Sequence, residues 1–412
     1  MFFVPMGIKA KLKRFPVITT ALIASNAFVH LYLLTLDNRE LLKAVLRYGW
    51  VVSEMNLTGL IGSQFIHVDF WHLFSNMIFL WTFGSYLETV VGPRKFLAYY
   101  LLGDFFGVCL HTAWALNFGP PENLGIPSIG ASASISGLMG AHLVRCYHTK
   151  VKIGVGFLGG LAYWPKRIGV PSVLILAYYL FGDIMGALST FDNPAIRVGH
   201  WAHLGGFFWG VAATLRDKEY LEAKKDQLRE RADFWLEKGV GFDQVRKDLR
   251  KLLCADPGNA EAYLDLARIE TRYELTPRGA SLYRMAIRCY WQEGERGRAA
   301  MTFAEFLRRY PALSLQEAPP MLCRELIRIG EYDVAARALE GYIQVLKKKP
   351  LLADSRKLEQ AYLTLAKLLA DRLRAPQAAE EWLQEYLVRF PTGAYCDVAR
   401  QRLAALARPA AA

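Results

Sequence analysis

Six apolar segments recur within the first 215 residues, and each is close to the length needed to cross a membrane. They run Pro16–Leu36, Phe70–Glu88, Phe96–Leu116, Ser128–His148, Pro171–Ser189 and Gly199–Leu215. A helix rising 1.5 Å per residue needs roughly 20 residues to span the hydrocarbon, so the spacing predicts a six-span bundle. Several segments are rich in Gly, Ala and Ser, which suits close helix packing in lipid. The first has no clear cleavage site and five more follow it, so it reads as an uncleaved span rather than a signal peptide. The remainder of the chain is different. Residues 1–215 carry only 15 of the 50 Lys and Arg and 9 of the 38 Asp and Glu, and all eight histidines lie at or before His203. Any histidine chemistry therefore belongs to the apolar half. The six cysteines form no CxxC pair, which suggests neither a disulfide framework nor a thiolate zinc site.

Basic residues set the expected orientation. Lys9, Lys11, Lys13 and Arg14 precede span one, Arg94 and Lys95 separate spans two and three, and Arg145, Lys150, Lys152, Lys166 and Arg167 separate four and five. The connection NFGPPENLGIP between three and four has no Lys or Arg. Both termini are expected in the cytoplasm, with a bacterial inner membrane as the compartment. The connection between spans one and two runs against this mildly, with Arg39, Lys43 and Arg47 in amphipathic stretches suited to the outer leaflet. The positive net charge reads as a membrane flank and solvated helix faces, with no nucleic-acid partner.

This orientation brings His72, Asn76, Ser132 and His203 to roughly 3–9 Å below the outer interface, on spans two, four and six. Each has a plain alternative. Span four, SIGASASISGLMGAH, carries small residues at four-residue spacing and alone is a packing face. His203, in GHWAHLGGFFWG, alone is a histidine bonded to a carbonyl. His72 and Asn76 share a face at i, i+4 and alone are a polar clasp. Together they suit nucleophilic catalysis. An imidazole accepts the serine proton, and fixed donors hold a developing oxyanion where water is scarce.

These residues carry a resemblance to the rhomboid family of intramembrane serine proteases. GASASISGLMG resembles its nucleophile segment, AHLGG its final-helix histidine motif, HLFSNM its HxxxN motif, and FGSYLETVVGPRKFLAYYLLG the stretch joining its second and third helices. The resemblance covers roughly residues 55–215. It implies a dyad with Ser132 as nucleophile and His203 as general base. His72, Asn76 and the Ser132 N–H would line the oxyanion hole, with no metal or organic cofactor. It implies structural roles for His67 and Glu88, and single-span membrane proteins, cut near the helix end, as substrates. Two positions depart from the family pattern: Ser136 stands where an aromatic often stacks on the histidine, and Ala133 where glycine is common. Either Asp104 or Asp183 could in principle orient His203, but structural hydrogen bonds are expected for both, since no spacing ties either to the dyad.

From Arg216 the chain turns charged, and residues 216–255 read as a helical linker. Residues 256–412 carry a repeat. Ala299, Phe303 and Pro311 recur as Ala338, Tyr342 and Pro350, then as Ala379, Leu383 and Pro391, with prolines 39 and 41 residues apart. The small residue admits a partner helix, the larger fills the gap, and proline ends the helix. The segment resembles degenerate tetratricopeptide repeats, an α-solenoid that would bind a cytoplasmic protein or peptide. The expected fold is all-α: residues 1–15 a cytoplasmic segment, 16–215 the membrane domain, then linker and solenoid. The expected function is intramembrane serine endopeptidase. The alternatives are a non-catalytic relative that grips membrane clients, a metal or haem protein using His67, His72, His200 and His203, and a membrane-anchored scaffold.

Overall fold

A computed structural model describes residues 2–10, 12–156, 168–192, 199–311, 320–348 and 355–407. Lys11, Lys166, Arg167 and Pro350 lie outside the described residues. The chain divides into two compact units, Met1–Gln227 and Leu228–Ala412.

In the first unit each apolar segment becomes helix: α1 (Val17–Leu33), α4 (Phe70–Phe79) running through a π turn into α5 (Ser85–Val91), α6 (Pro93–Phe118), α7 (Ser132–Arg145), α8 (Ser172–Asp192) and α9 (His200–Arg216), with α2 (Asn38–Tyr48) and α3 (Leu57–Gly62) between the first two. Among the described residues, α6 and α8 are the helices both long and apolar enough to cross a membrane by themselves. Helix α7 has 14 residues, about 21 Å at 1.5 Å each, shorter than the roughly 30 Å of a bilayer's hydrocarbon core. The expected span Ser128–His148 is shortened at its start because Ser128 is extended and bridges Trp50.

Small residues set the spacing of the central helices. A Cβ on Gly103 would sit 3.1 Å from the Gly137 Cα, and one on Gly206 or Gly210 would overlap the carbonyl of Ala133 or Gly137. Helices α6, α7 and α9 therefore pack backbone to backbone, the arrangement favoured where lipid supplies no hydrophobic drive between helices. The outward faces carry exposed Phe28, Trp71, Tyr178, Phe181 and Phe208. So much bare apolar surface fits a lipid environment.

Helix α1 begins after Pro16, which offers no side-chain cap. Glu88 supplies one from α5. Its carboxylate accepts from the N–H of Ile18 (2.9 Å), the N–H of Thr19 (2.8 Å) and the Thr19 hydroxyl (2.7 Å). The negative charge meets the positive end of the helix dipole, which gives the expected structural role of Glu88 a specific form.

The all-α expectation needs correction. Residues Phe2–Ile8 (β1), Lys150–Gly156 (β2) and Ile168–Pro171 (β3) form an antiparallel sheet in the order β1-β2-β3, with Val4 opposite Gly154 and Lys150 opposite Pro171. A reading in membrane-length windows passes over strands of seven and four residues. Near the same end of α7, Arg145 is buried and bonds Glu219 (3.1 Å) and Asp226 (2.7 Å), both on α10 (Glu219–Lys238).

The second unit runs through α11 (Phe242–Ala255), α12 (Ala260–Glu270), α13 (Pro277–Gln292), α14 (Arg296–Arg309), α15 (Pro320–Arg328), α16 (Tyr332–Lys348), α17 (Ser355–Asp371), α18 (Pro376–Arg389) and α19 (Cys396–Leu406). From α11 to α19 each helix packs against the next in sequence. Part of the stretch expected as a linker contributes core: Val245, Leu249 and Leu252 of α11 are buried with Ala262, Leu266 and Ile269 of α12. The repeat residues Ala299, Phe303, Ala338, Ala379 and Leu383 are buried at helix contacts, and Tyr342 is half-buried against the same core. A further repeat appears in three dimensions. The Tyr283 hydroxyl donates to Glu305 (2.6 Å) and the Tyr362 hydroxyl to Glu385 (2.7 Å). Both glutamates stand six residues after the small residue of their repeat.

Candidate active site

The loop before α7 is fixed by its backbone. Ser128 pairs with Trp50, and the Gly130 N–H donates to the Ser63 carbonyl at 2.8 Å. Gly130 has φ +117°, and a Cβ there would sit 2.8 Å from the His72 ring. Only glycine gives both the left-handed turn and the close approach. The turn places Ser132 at the first position of α7, where backbone N–H groups lack helical partners.

The Ser132 hydroxyl meets His203 Nε2 at 2.7 Å. His203 is on the first turn of α9, with its side chain 12% exposed. Its other nitrogen, Nδ1, lies 2.9 Å from Asp183 Oδ1 on α8. A carboxylate only accepts, so Nδ1 carries the proton and Nε2 presents a lone pair to the serine. The structure thus brings together the two expected dyad residues and adds a carboxylate the sequence did not assign. Of the two roles open to Asp183, the structural bond was the expected one; instead it bonds His203 directly. The sequence signal for it is a lone acid within α8's apolar run, FGDIMG, but nothing in the sequence indicates which helix it faces.

The same structure answers the missing aromatic at Ser136. Tyr179, one turn before Asp183, stacks on His203 with ring centres 6.2 Å apart and planes at 29°. Its hydroxyl lies 3.3 Å from Ser136 Oγ. The ring comes from α8 instead of α7, and the serine at 136 bonds its tip. Asp104 does not meet His203. It is buried on α6, remote from the Ser132–His203 contact in its bonding, with one carboxylate oxygen lacking a hydrogen-bond partner.

His72 Nε2 and Asn76 Nδ2 converge on the other side of Gly130: a Cβ there would lie 2.8 Å from the first and 3.6 Å from the second. Asn76 is buried, and its Nδ2 donor has no hydrogen-bond partner. This buried donor stands beside Gly130, two residues before the serine, and leaving it unpaired is costly. His67 lies on the loop before α4, with its ring 5.0 Å from that of His72. Burial first, and then the charge of His72, push its imidazole down to about 4, so it stays neutral in ordinary buffers.

Residues 54–218 match the model of the Rhomboid domain. The chain is 29% identical over 193 residues to Rhomboid protein 1, mitochondrial, of Saccharomyces cerevisiae, covering 46% of this chain and 50% of that protein. It is 29% identical over 190 residues to presenilin-associated rhomboid-like protein A, mitochondrial, of Danio rerio, covering 45% and 43%. It is 27% identical over 157 residues to RHOMBOID-like protein 12, mitochondrial, of Arabidopsis thaliana, covering 36% and 42%. The chain thus spans half or less of the length of these relatives. All five side chains of the site, His72, Asn76, Ser132, Asp183 and His203, fall inside the stretch matched to the rhomboid domain.

Proposed function

We propose that the chain is a serine-type intramembrane endopeptidase that cuts single-span membrane proteins near the outer membrane face. The observation that carries this reading is the continuous bond path from Ser132 through His203 to Asp183. On this reading Ser132 Oγ attacks the scissile carbonyl while His203 Nε2 takes its proton. Asp183 holds the Nδ1–H and stabilises the imidazolium that forms. His72, Asn76 and the Ser132 N–H receive the oxyanion. The imidazolium then protonates the leaving amine, and water, activated by the same nitrogen, releases the acyl group. No metal or organic cofactor enters these steps. The non-catalytic alternative leaves a formed Ser–His–Asp path and an unpaired Asn76 donor without a task.

Six spans, with both termini on the cytoplasmic side, are part of this reading, supported by the helix count and the basic flanks. A bacterial inner membrane stays the proposed compartment. The relatives named above are mitochondrial by name, so a membrane is what is shared with them. The second unit is read as a tetratricopeptide-like solenoid that binds a cytoplasmic protein or peptide. Sequential packing and the repeated Tyr–Glu bond support it. Cleavage of a model single-span substrate in detergent tests the function. Wild type is expected to cut it and Ser132→Ala and His203→Ala to leave it intact; equal cleavage by all three ends the proposal.

A further inference from the structure

His200 and His203 both direct Nδ1 at one oxygen of Asp183, at 2.8 and 2.9 Å. The three ligand atoms lie within 4.8 Å of one another. The place of His200 is built: Gly186, one turn after Asp183, leaves the space its ring fills, and a Cβ there would overlap that ring. The sequence suggested histidine-rich metal binding but showed no carboxylate to complete it; Asp183 is that carboxylate. Two imidazoles and one carboxylate are a ligand set for Zn²⁺ with an open fourth position. Around tetrahedral zinc the ligand atoms stand about 3.3 Å apart, so the two nitrogen–oxygen distances of 2.8 and 2.9 Å need to open by about half an ångström.

We propose that Asp183, His200 and His203 form an inhibitory Zn²⁺ site that switches the serine off. Binding needs only this geometry; the inhibition rests on the peptidase reading. Zinc takes the Nδ1 lone pair of both His200 and His203, so in each imidazole the proton moves from Nδ1 to Nε2, with no net proton lost from either ring. His203 Nε2 then donates to Ser132 Oγ and no longer accepts from it. The general base is lost while the Ser132–His203 contact persists.

The test uses the full chain in detergent, stripped with a chelator and returned to defined Zn²⁺. Metal retained after desalting is measured by atomic emission, and Ser132 reactivity by fluorophosphonate labelling. Wild type and Ser132→Ala are expected to retain one Zn²⁺ per chain, and His200→Gln and Gly186→Ala to bind it at least about tenfold more weakly. Zinc is expected to stop labelling of wild type, reversibly on chelation, and to leave His200→Gln labelled. Labelling of metal-free His200→Gln shows that its serine site is formed. Retention by wild type no better than by both variants, or equal loss of labelling with zinc in wild type and His200→Gln, overturns the proposal. Failure of metal-free wild type to label counts against the peptidase reading instead, and zinc retention alone then decides the site.

Discussion

Asp183 makes the account more than a serine beside a histidine. Its acceptor-only carboxylate fixes which nitrogen of His203 carries the proton, and Tyr179 fixes the plane of the ring. Asp183→Asn keeps the shape but offers an amide that also stabilises the wrong tautomer. We expect kcat to fall by roughly 10²–10⁴-fold with KM little changed, measured on a model membrane substrate. Equal loss in KM would instead point to a disturbed substrate surface. The serine and the histidine were legible in the sequence because each sits in a short motif with small neighbours. Asp183 was not, because its partner lies on another helix and one acid in an apolar run names no contact. Tyr179 escaped for the same reason: the ring that stacks on His203 arrives from α8, while the sequence pattern directs attention to position 136.

Among the elements, two carboxylates join helices that the sequence treats as separate. Glu88 caps α1 across 69 residues of chain through the Thr19 N–H. Glu88→Gln keeps one acceptor and loses the charge at the helix N-terminus. It is expected to destabilise the first unit by about 1–2 kcal/mol, read as a lowered thermal midpoint in detergent, without slowing turnover at low temperature. Glu305 on α14 accepts from Arg268 on α12 (2.7 Å) and from Tyr283 on α13 (2.6 Å). Burial works against its charge, but the bonds from Arg268 and Tyr283 and the Arg268 charge outweigh it and hold the carboxyl below the usual glutamate range. The stabilisation is therefore present above the ordinary value of about 4.3 and is lost as pH falls through the lower folded value. Hydrogen exchange in α12–α14 should accelerate on acidification, and Glu305→Gln should flatten that response and raise exchange at neutral pH. The helices themselves were readable from hydropathy and the Ala-x3-aromatic spacing. The sheet and the Tyr–Glu bonds were not. Strands of seven and four residues fall below the window that finds spans, and a bond between adjacent helices of a repeat leaves only a single Glu at a fixed offset.

On the scale of the whole chain, the apolar half and the charged half answer to different solvents. The short α7 is the link between the proposed topology and the chemistry: on the six-span reading, a helix of 14 residues leaves its N-terminal serine below the outer interface, within reach of water from that face. The orientation predicts opposite accessibilities. With Cys109 and Cys254, the two exposed cysteines, replaced by serine, a cysteine at Glu122 should react with a membrane-impermeant maleimide from the outer face. A cysteine at Lys224 should react only once the membrane is opened. The reverse pattern would invert the topology and place the serine on the cytoplasmic side.

The most direct test of the central claim is mass spectrometry of the full chain after reaction with a fluorophosphonate. The account predicts one covalent adduct, on the peptide that begins α7 and on Ser132 itself, slowed by Asp183→Asn and absent in His203→Ala. An adduct on any other residue, or equal labelling of Ser132 without the imidazole, would contradict it.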